Sequence, residues 1–183
     1  MTHTEYVLLT DSRLQSRIRG RYAADMEALA ALGFRQLCFY VEQLGPLSAI
    51  LQLPMLVLML ARREVLVFRP PLRLAAGFLL LHHTDPPAIA LPMGMGVKLY
   101  TGFADQTILI SYTFSSHALP RPGSQIIKVM TSGGLNEAWR LHRDRIRELE
   151  TGGKSPITRV SFESYIALSR KEEDMSQYLF SAV

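Results

Sequence analysis

A chain of 183 residues with 48% apolar side chains, 20% charged ones and a single cysteine is long enough to bury a core and has no second cysteine for a disulfide. Its formal charge of +4 is unevenly placed: residues 1–43 hold five basic and five acidic side chains and residues 131–183 eight of each, whereas residues 44–130 hold seven basic against three acidic. The surplus lies in the most apolar part of the chain, which argues against a nucleic-acid surface, where basic residues stand among polar and aromatic ones, and for a boundary with anionic head groups.

The opening MTHTEYVLLTDSRLQSR carries only a three-residue apolar run before Asp11, which predicts no signal peptide and a cytoplasmic protein. Residues Asp11 to Leu32 read as helix in two pieces around Gly20, with Tyr22, Met26, Leu29 and Leu32 on one face of the second piece and Gly33 at its C-terminal end. Phe34 to Val41 (FRQLCFYV) then reads as a strand. The next stretch, Gln43 to Ala61 (QLGPLSAILQLPMLVLMLA), has nineteen residues without a charge, bracketed by Glu42 and by Arg62-Arg63. That is about the length of a helix crossing a ~30 Å hydrocarbon layer. Pro46, Pro54 and Gln52 interrupt it, and the spacing leaves open whether it is one helix or two broken at Pro54. A strand-like EVLVF (Glu64–Phe68) and a second apolar run, LRLAAGFLLL (Leu72–Leu81), follow at once. We read 44–61 and 72–83 as two apolar elements on one side of the body, lying against or dipping into a membrane; a buried helix or an oligomer interface is the alternative.

Beyond Asp85-Pro86-Pro87 the pattern changes to strands and turns. Ala88–Pro92, Val97–Phe103 and Thr107–Phe114 read as three short strands, with turns at Gly94-Met95-Gly96 and Ala104-Asp105-Gln106, and Gln125–Met130 as an edge strand. A helix from about Leu135 to Glu150, capped by Thr131 or Ser132 and ended by Gly152-Gly153, has an apolar face of Leu135, Ala138, Trp139, His142, Ile146 and Leu149. A last helix starts near Ser161, shows Phe162, Tyr165, Ile166 and Leu168, and then carries the run Arg170–Asp174, read as a solvated face.

Three stretches together resemble a group of uncharacterised bacterial proteins, many of them cyanobacterial. They are Leu-Ala-Ala-Leu-Gly-Phe at a helix end, Gly-Val-Lys-Leu-Tyr-Thr-Gly-Phe-Ala-Asp-Gln-Thr-Ile-Leu-Ile-Ser across a strand pair, and Glu-Ala-Trp-Arg-Leu-His-Arg in a helix. Gln106 stands where that group would have glycine in the hairpin. The resemblance covers roughly residues 28–40, 94–115 and 132–175. It implies one α+β domain with a mostly antiparallel sheet and carries no established activity.

Sites with recognised chemistry are sparse. His82-His83 with Asp85 is the first place to look for a metal, but adjacent histidines diverge on a strand or helix, and no HxxxH, HExxH or CxxC spacing completes a site. His142 would need a nucleophile or carboxylate facing it to act in catalysis; Cys38, Ser111 and Ser115 are the candidates but no spacing places them there, and the ring otherwise reads as a satisfied core histidine. Cys38 sits in apolar company that suppresses its thiolate. No GxxxxGK(S/T) or GxGxxG is present, so neither phosphate loop is expected. Arg140, Arg143 and Arg147 form a ridge that Glu137, Asp144 and Glu148 can neutralise.

The expectation is therefore one α+β domain over 1–183, a mostly antiparallel sheet packed by N- and C-terminal helices, with an apolar helical insertion at 44–83. Its role would be non-catalytic: a membrane-associated accessory, assembly or scaffolding protein without cofactor or metal. Leu47, Ile50, Leu51, Leu53, Met55, Leu56, Leu58, Met59 and Leu60 would contact the bilayer or an integral membrane protein, and Arg62, Arg63, Arg69 and Arg73 the phosphate head groups. Two rivals stand beside it: a soluble module enclosing a lipid or other hydrophobic ligand, and an enzyme centred on His142. A homo-oligomer is compatible with the same apolar surface.

Overall fold

The computed structural model describes residues 5–43, 66–69, 73–114 and 125–180. Strand β1 (Glu5–Leu8) is followed by helices α1 (Ser12–Arg21) and α2 (Ala23–Ala31). Strands β2 (Arg35–Gln43), β3 (Leu66–Arg69), β4 (Arg73–Thr84), β5 (Pro87–Met93), β6 (Gly96–Gly102), β7 (Ile108–Tyr112) and β8 (Ile126–Met130) come next. Helices α3 (Gly134–Thr151) and α4 (Phe162–Phe180) end the described chain. One sheet runs β1-β2-β4-β5-β6-β7-β8, with β3 paired to the first half of β4. Every pairing is antiparallel except β7 with β8. This is the expected α+β class.

Period-two alternation assigns the strand side chains to the two faces of the sheet. Phe39, Val41, Leu79, Leu81, Ala90, Val97 and Leu99 point to one face, where Ile18, Leu29 and Trp139 of α1, α2 and α3 cover them. Tyr40, Phe78, Leu80, Ile89, Leu91, Tyr100, Ile110 and Tyr112 point to the other, beneath Tyr165 of α4. A sheet covered on both faces needs strands apolar on both sides, and β4 supplies one: Ala76, Phe78, Leu79, Leu80 and Leu81 are all buried.

That strand corrects the reading of 72–83. The run was expected as an apolar element set against a membrane. Arg73–Thr84 instead lies inside the sheet, between β2 on one side and β3 and β5 on the other. Its LAAGFLLL is made of good helix formers, and a short unbroken apolar run has no periodicity to separate strand from helix. Pairing partners decided the matter. The segment 44–61 lies outside the described residues.

Local signals explain most element ends. The Asp11 carboxylate accepts the N–H groups of Arg13 and Leu14 at 2.9 and 3.1 Å and starts α1. The break between α1 and α2 falls at Tyr22, two residues past the predicted Gly20, because the buried Tyr22 side chain anchors the turn. Gly33 takes the left-handed φ of +90° that closes α2. The N-cap of helix α3 is Gly133 rather than the predicted Thr131 or Ser132. The Thr131 hydroxyl accepts the Gly133 N–H at 3.0 Å and donates to the Glu137 carboxylate. Gln106 adopts φ +69°, so the hairpin keeps a glycine-like backbone without glycine.

Candidate binding site

A cavity of about 240 Å³ lies between the sheet and α4. Pro87, Ala88 and Ile89 of β5 and Tyr100, Thr101 and Gly102 of β6 form its floor; Ser164, Ala167 and Leu168 of α4 and Ile157, Arg159 and Val160 of the preceding segment form its roof. The segment is hung on the C-terminal end of β6, since Ala104 N–H donates to the Ser155 carbonyl at 2.9 Å and Ile157 N–H to the Gly102 carbonyl at 2.8 Å. Ser161 then caps α4 by accepting the Ser164 N–H at 3.2 Å. Gly102 keeps the space open: a Cβ there would stand 3.0 Å from a Leu168 methyl and 3.4 Å from one of Ile157. Ile157, Arg159 and Ala167 are exposed, which places the mouth between them. Arg159 is the single charged side chain of the lining.

Behind the Tyr100 wall, α4 is pinned by a polar cluster. Glu172 Oε2 accepts from Lys98 Nζ at 2.6 Å and from the Tyr100 hydroxyl at 2.9 Å, while Oε1 accepts from the Tyr112 hydroxyl at 2.8 Å. Lys98 also lies over the Tyr100 and Tyr112 rings, 4.9 and 5.3 Å from their centroids. Burial pushes the Glu172 carboxyl up, but the Lys98 ammonium and the tyrosine hydroxyls outweigh it and hold the group below its ordinary value. Burial, then the Glu172 charge, drives the Tyr100 hydroxyl well above its usual range. Tyr40 and Tyr165 share a hydrogen bond of 2.7 Å further along the same face. Glu172 therefore departs from the solvated face expected of Arg170–Asp174.

His142 lies on the opposite face of the sheet. Thr101 Oγ1 donates to the Pro87 carbonyl at 2.8 Å, so its oxygen accepts His142 Nε2–H at 3.0 Å, and Nδ1 accepts the Ser111 hydroxyl at 2.7 Å. Burial pushes the imidazole down to about 3, which keeps it neutral. The structure thus brings two hydroxyls to the ring, but His142 and Ser111 are 0% and 1% exposed and the cavity is on the other side of the sheet. Among the described residues no carboxylate hydrogen-bonds to His142. It is a satisfied core group.

The remaining sequence candidates are dispersed. Leu47, Ile50, Leu51, Leu53, Met55, Leu56, Leu58, Met59, Leu60, Arg62 and Arg63 lie outside the described residues. Arg69 and Arg73 are register partners at the end of the β3–β4 hairpin. His83 donates from Nδ1 to the Pro86 carbonyl at 3.1 Å, its ring packed 5.2 Å from Phe34 and 4.9 Å from Trp139. Among the described residues no three His, Cys, Asp or Glu side chains converge as metal ligands. Cys38 is pushed up to about 12 by burial and by the Glu163 charge. On α3, Asp144 pairs with Arg140 and Arg147 at 3.3 and 3.7 Å, whereas Arg143 lies over the Trp139 ring at 5.7 Å and Glu148 takes Arg145.

Sequence reasoning missed Arg159 and Glu172. A signal for Glu172 exists: Tyr165, Ser169 and Glu172 fall at i, i+4 and i+7, on the face that Tyr165 buries. Arg159 stands between elements and carries no periodicity. Comparison with family models, with curated proteins and with solved structures found no match.

Proposed function

We propose that the chain is a non-catalytic binding module for a small hydrophobic ligand, seated between the sheet and α4. The observation that carries this reading is the apolar lining of a cavity of about 240 Å³ that stays open at Ile157 and Ala167. Ligand sites are concave, mostly apolar and furnished with few polar groups. At this volume the occupant is smaller than the drug-sized ligands that fill ~300–1,000 Å³ pockets. Titration of the 15N-labelled protein with 1-octanol tests it. Saturable shifts centred on Ile89, Gly102 and Leu168, weakened by Ala167→Trp across the mouth, are expected. No saturable shift at those amides would overturn the reading.

A second reading, a membrane-associated accessory or scaffolding protein of the cytoplasmic face, rests on the uncharged run 44–61 with Arg62 and Arg63 at its end. No helix among the described residues is long and apolar enough to cross a membrane. The run itself is the feature that supports this role.

A further inference from the structure

We propose that the ligand of this cavity is a monocarboxylate with a short apolar tail, its carboxylate held by Arg159 at the mouth. This assignment rests on the binding-module reading and adds the chemistry of the head group. The lining is apolar except at its rim, so a ligand that fills it must be apolar along most of its length and polar at one end. The rim supplies one formal charge, and it is positive.

Arg159 is exposed and makes no side-chain hydrogen bond or ion pair among the described residues. Glu163 is held below its ordinary value chiefly by its backbone N–H and by the Ser161 hydroxyl, with the Arg159 charge a smaller contribution, and the two side chains do not pair. The fork is thus free to take a carboxylate in bidentate fashion. Its backbone is fixed: the Ser164 hydroxyl donates to the Arg159 carbonyl at 3.1 Å, which ties the residue to the first turn of α4. Ile157, 44% exposed beside it, is an apolar side chain that a seated tail would cover. The floor offers no competing charge, because the Tyr100 hydroxyl is committed to Glu172 and the Thr101 hydroxyl to Pro87 and His142. A cavity of this volume accommodates a ligand of roughly ten non-hydrogen atoms, the size of an eight-carbon acid.

The experiment compares octanoate with 1-octanol by calorimetry and by 15N-resolved titration on wild type, Arg159→Gln, Arg159→Lys and Ala167→Trp. Wild type is expected to bind octanoate about tenfold tighter than the alcohol, as a charge-assisted pair provides. Arg159→Gln should remove that preference and leave octanol within about twofold; Arg159→Lys should restore part of it; Ala167→Trp should weaken both ligands. The octanoate preference should shrink at high salt, since the pair is exposed. Equal binding of acid and alcohol by wild type, or a preference that survives Arg159→Gln, would overturn the carboxylate assignment and leave the binding module standing. Binding of neither ligand, or shifts remote from Ile89, Gly102 and Leu168, would overturn both.

Discussion

His142 is neutral because of where it sits. Its two hydroxyl partners satisfy both ring nitrogens without supplying charge, and burial alone drives it down to about 3. An unfolded histidine titrates near ~6.5, so between those values the unfolded chain holds a proton that the folded one does not. Stability from this group is complete above the unfolded value and is lost as pH falls toward the folded one. The slope is about 1.4 kcal/mol per pH unit in that window. His142→Gln should remove it, which urea unfolding at pH 7, 6 and 5 would read as a shallower fall than in wild type; parallel curves would contradict the assignment. The helical spacing of Leu135, Ala138, Trp139, His142, Ile146 and Leu149 was enough to place the ring in the core. Which hydroxyls meet the ring is not legible in the spacing, because Ser111 and Thr101 reach it from two strands whose register only the folded sheet defines.

Helix α4 is the roof of the cavity, and Glu172 is the bolt that holds it to β6 and β7. The Glu172 and Lys98 side chains are only 12% and 15% exposed, so removing the carboxylate leaves an ammonium and two hydroxyls in a poorly solvated place. Glu172→Ala should therefore cost about 3 kcal/mol. Chemical denaturation measures the loss, and faster amide exchange along α4 than along α3 would localise it; an unchanged midpoint would show the cluster to be incidental. As a charge run, Arg170–Asp174 looks solvated, since the four residues around Glu172 in it say nothing of Lys98, 74 residues away. Strand β4 misled for the opposite reason. Its leucines and alanines favour helix, and only burial on both faces makes them a strand. The sheet class, the two-piece N-terminal helix, the β5–β7 turns and the α3 face were all within reach of periodicity and turn residues.

At the scale of the whole molecule the described chain is a sheet with helices on both faces, three helices on one and α4 on the other. One consequence lies in the connection from β2 to β3. Both strands flank β4, where Gln43 faces Ala75 and Leu66 faces Ala76. Two strand spacings, about 10 Å, therefore separate the end of one from the start of the other. Residues 44–65 number twenty-two, with a contour length of roughly 70 Å. The tether is several times longer than the gap it closes. Since closure entropy changes slowly with length, a six-residue Gly/Ser bridge in place of 44–65 should leave the unfolding midpoint nearly unchanged. Collapse of the fold would make the segment part of the core. A folded, bridged protein that no longer sediments with anionic vesicles, where wild type does, would make it a detachable tool, retained for something outside the domain it interrupts.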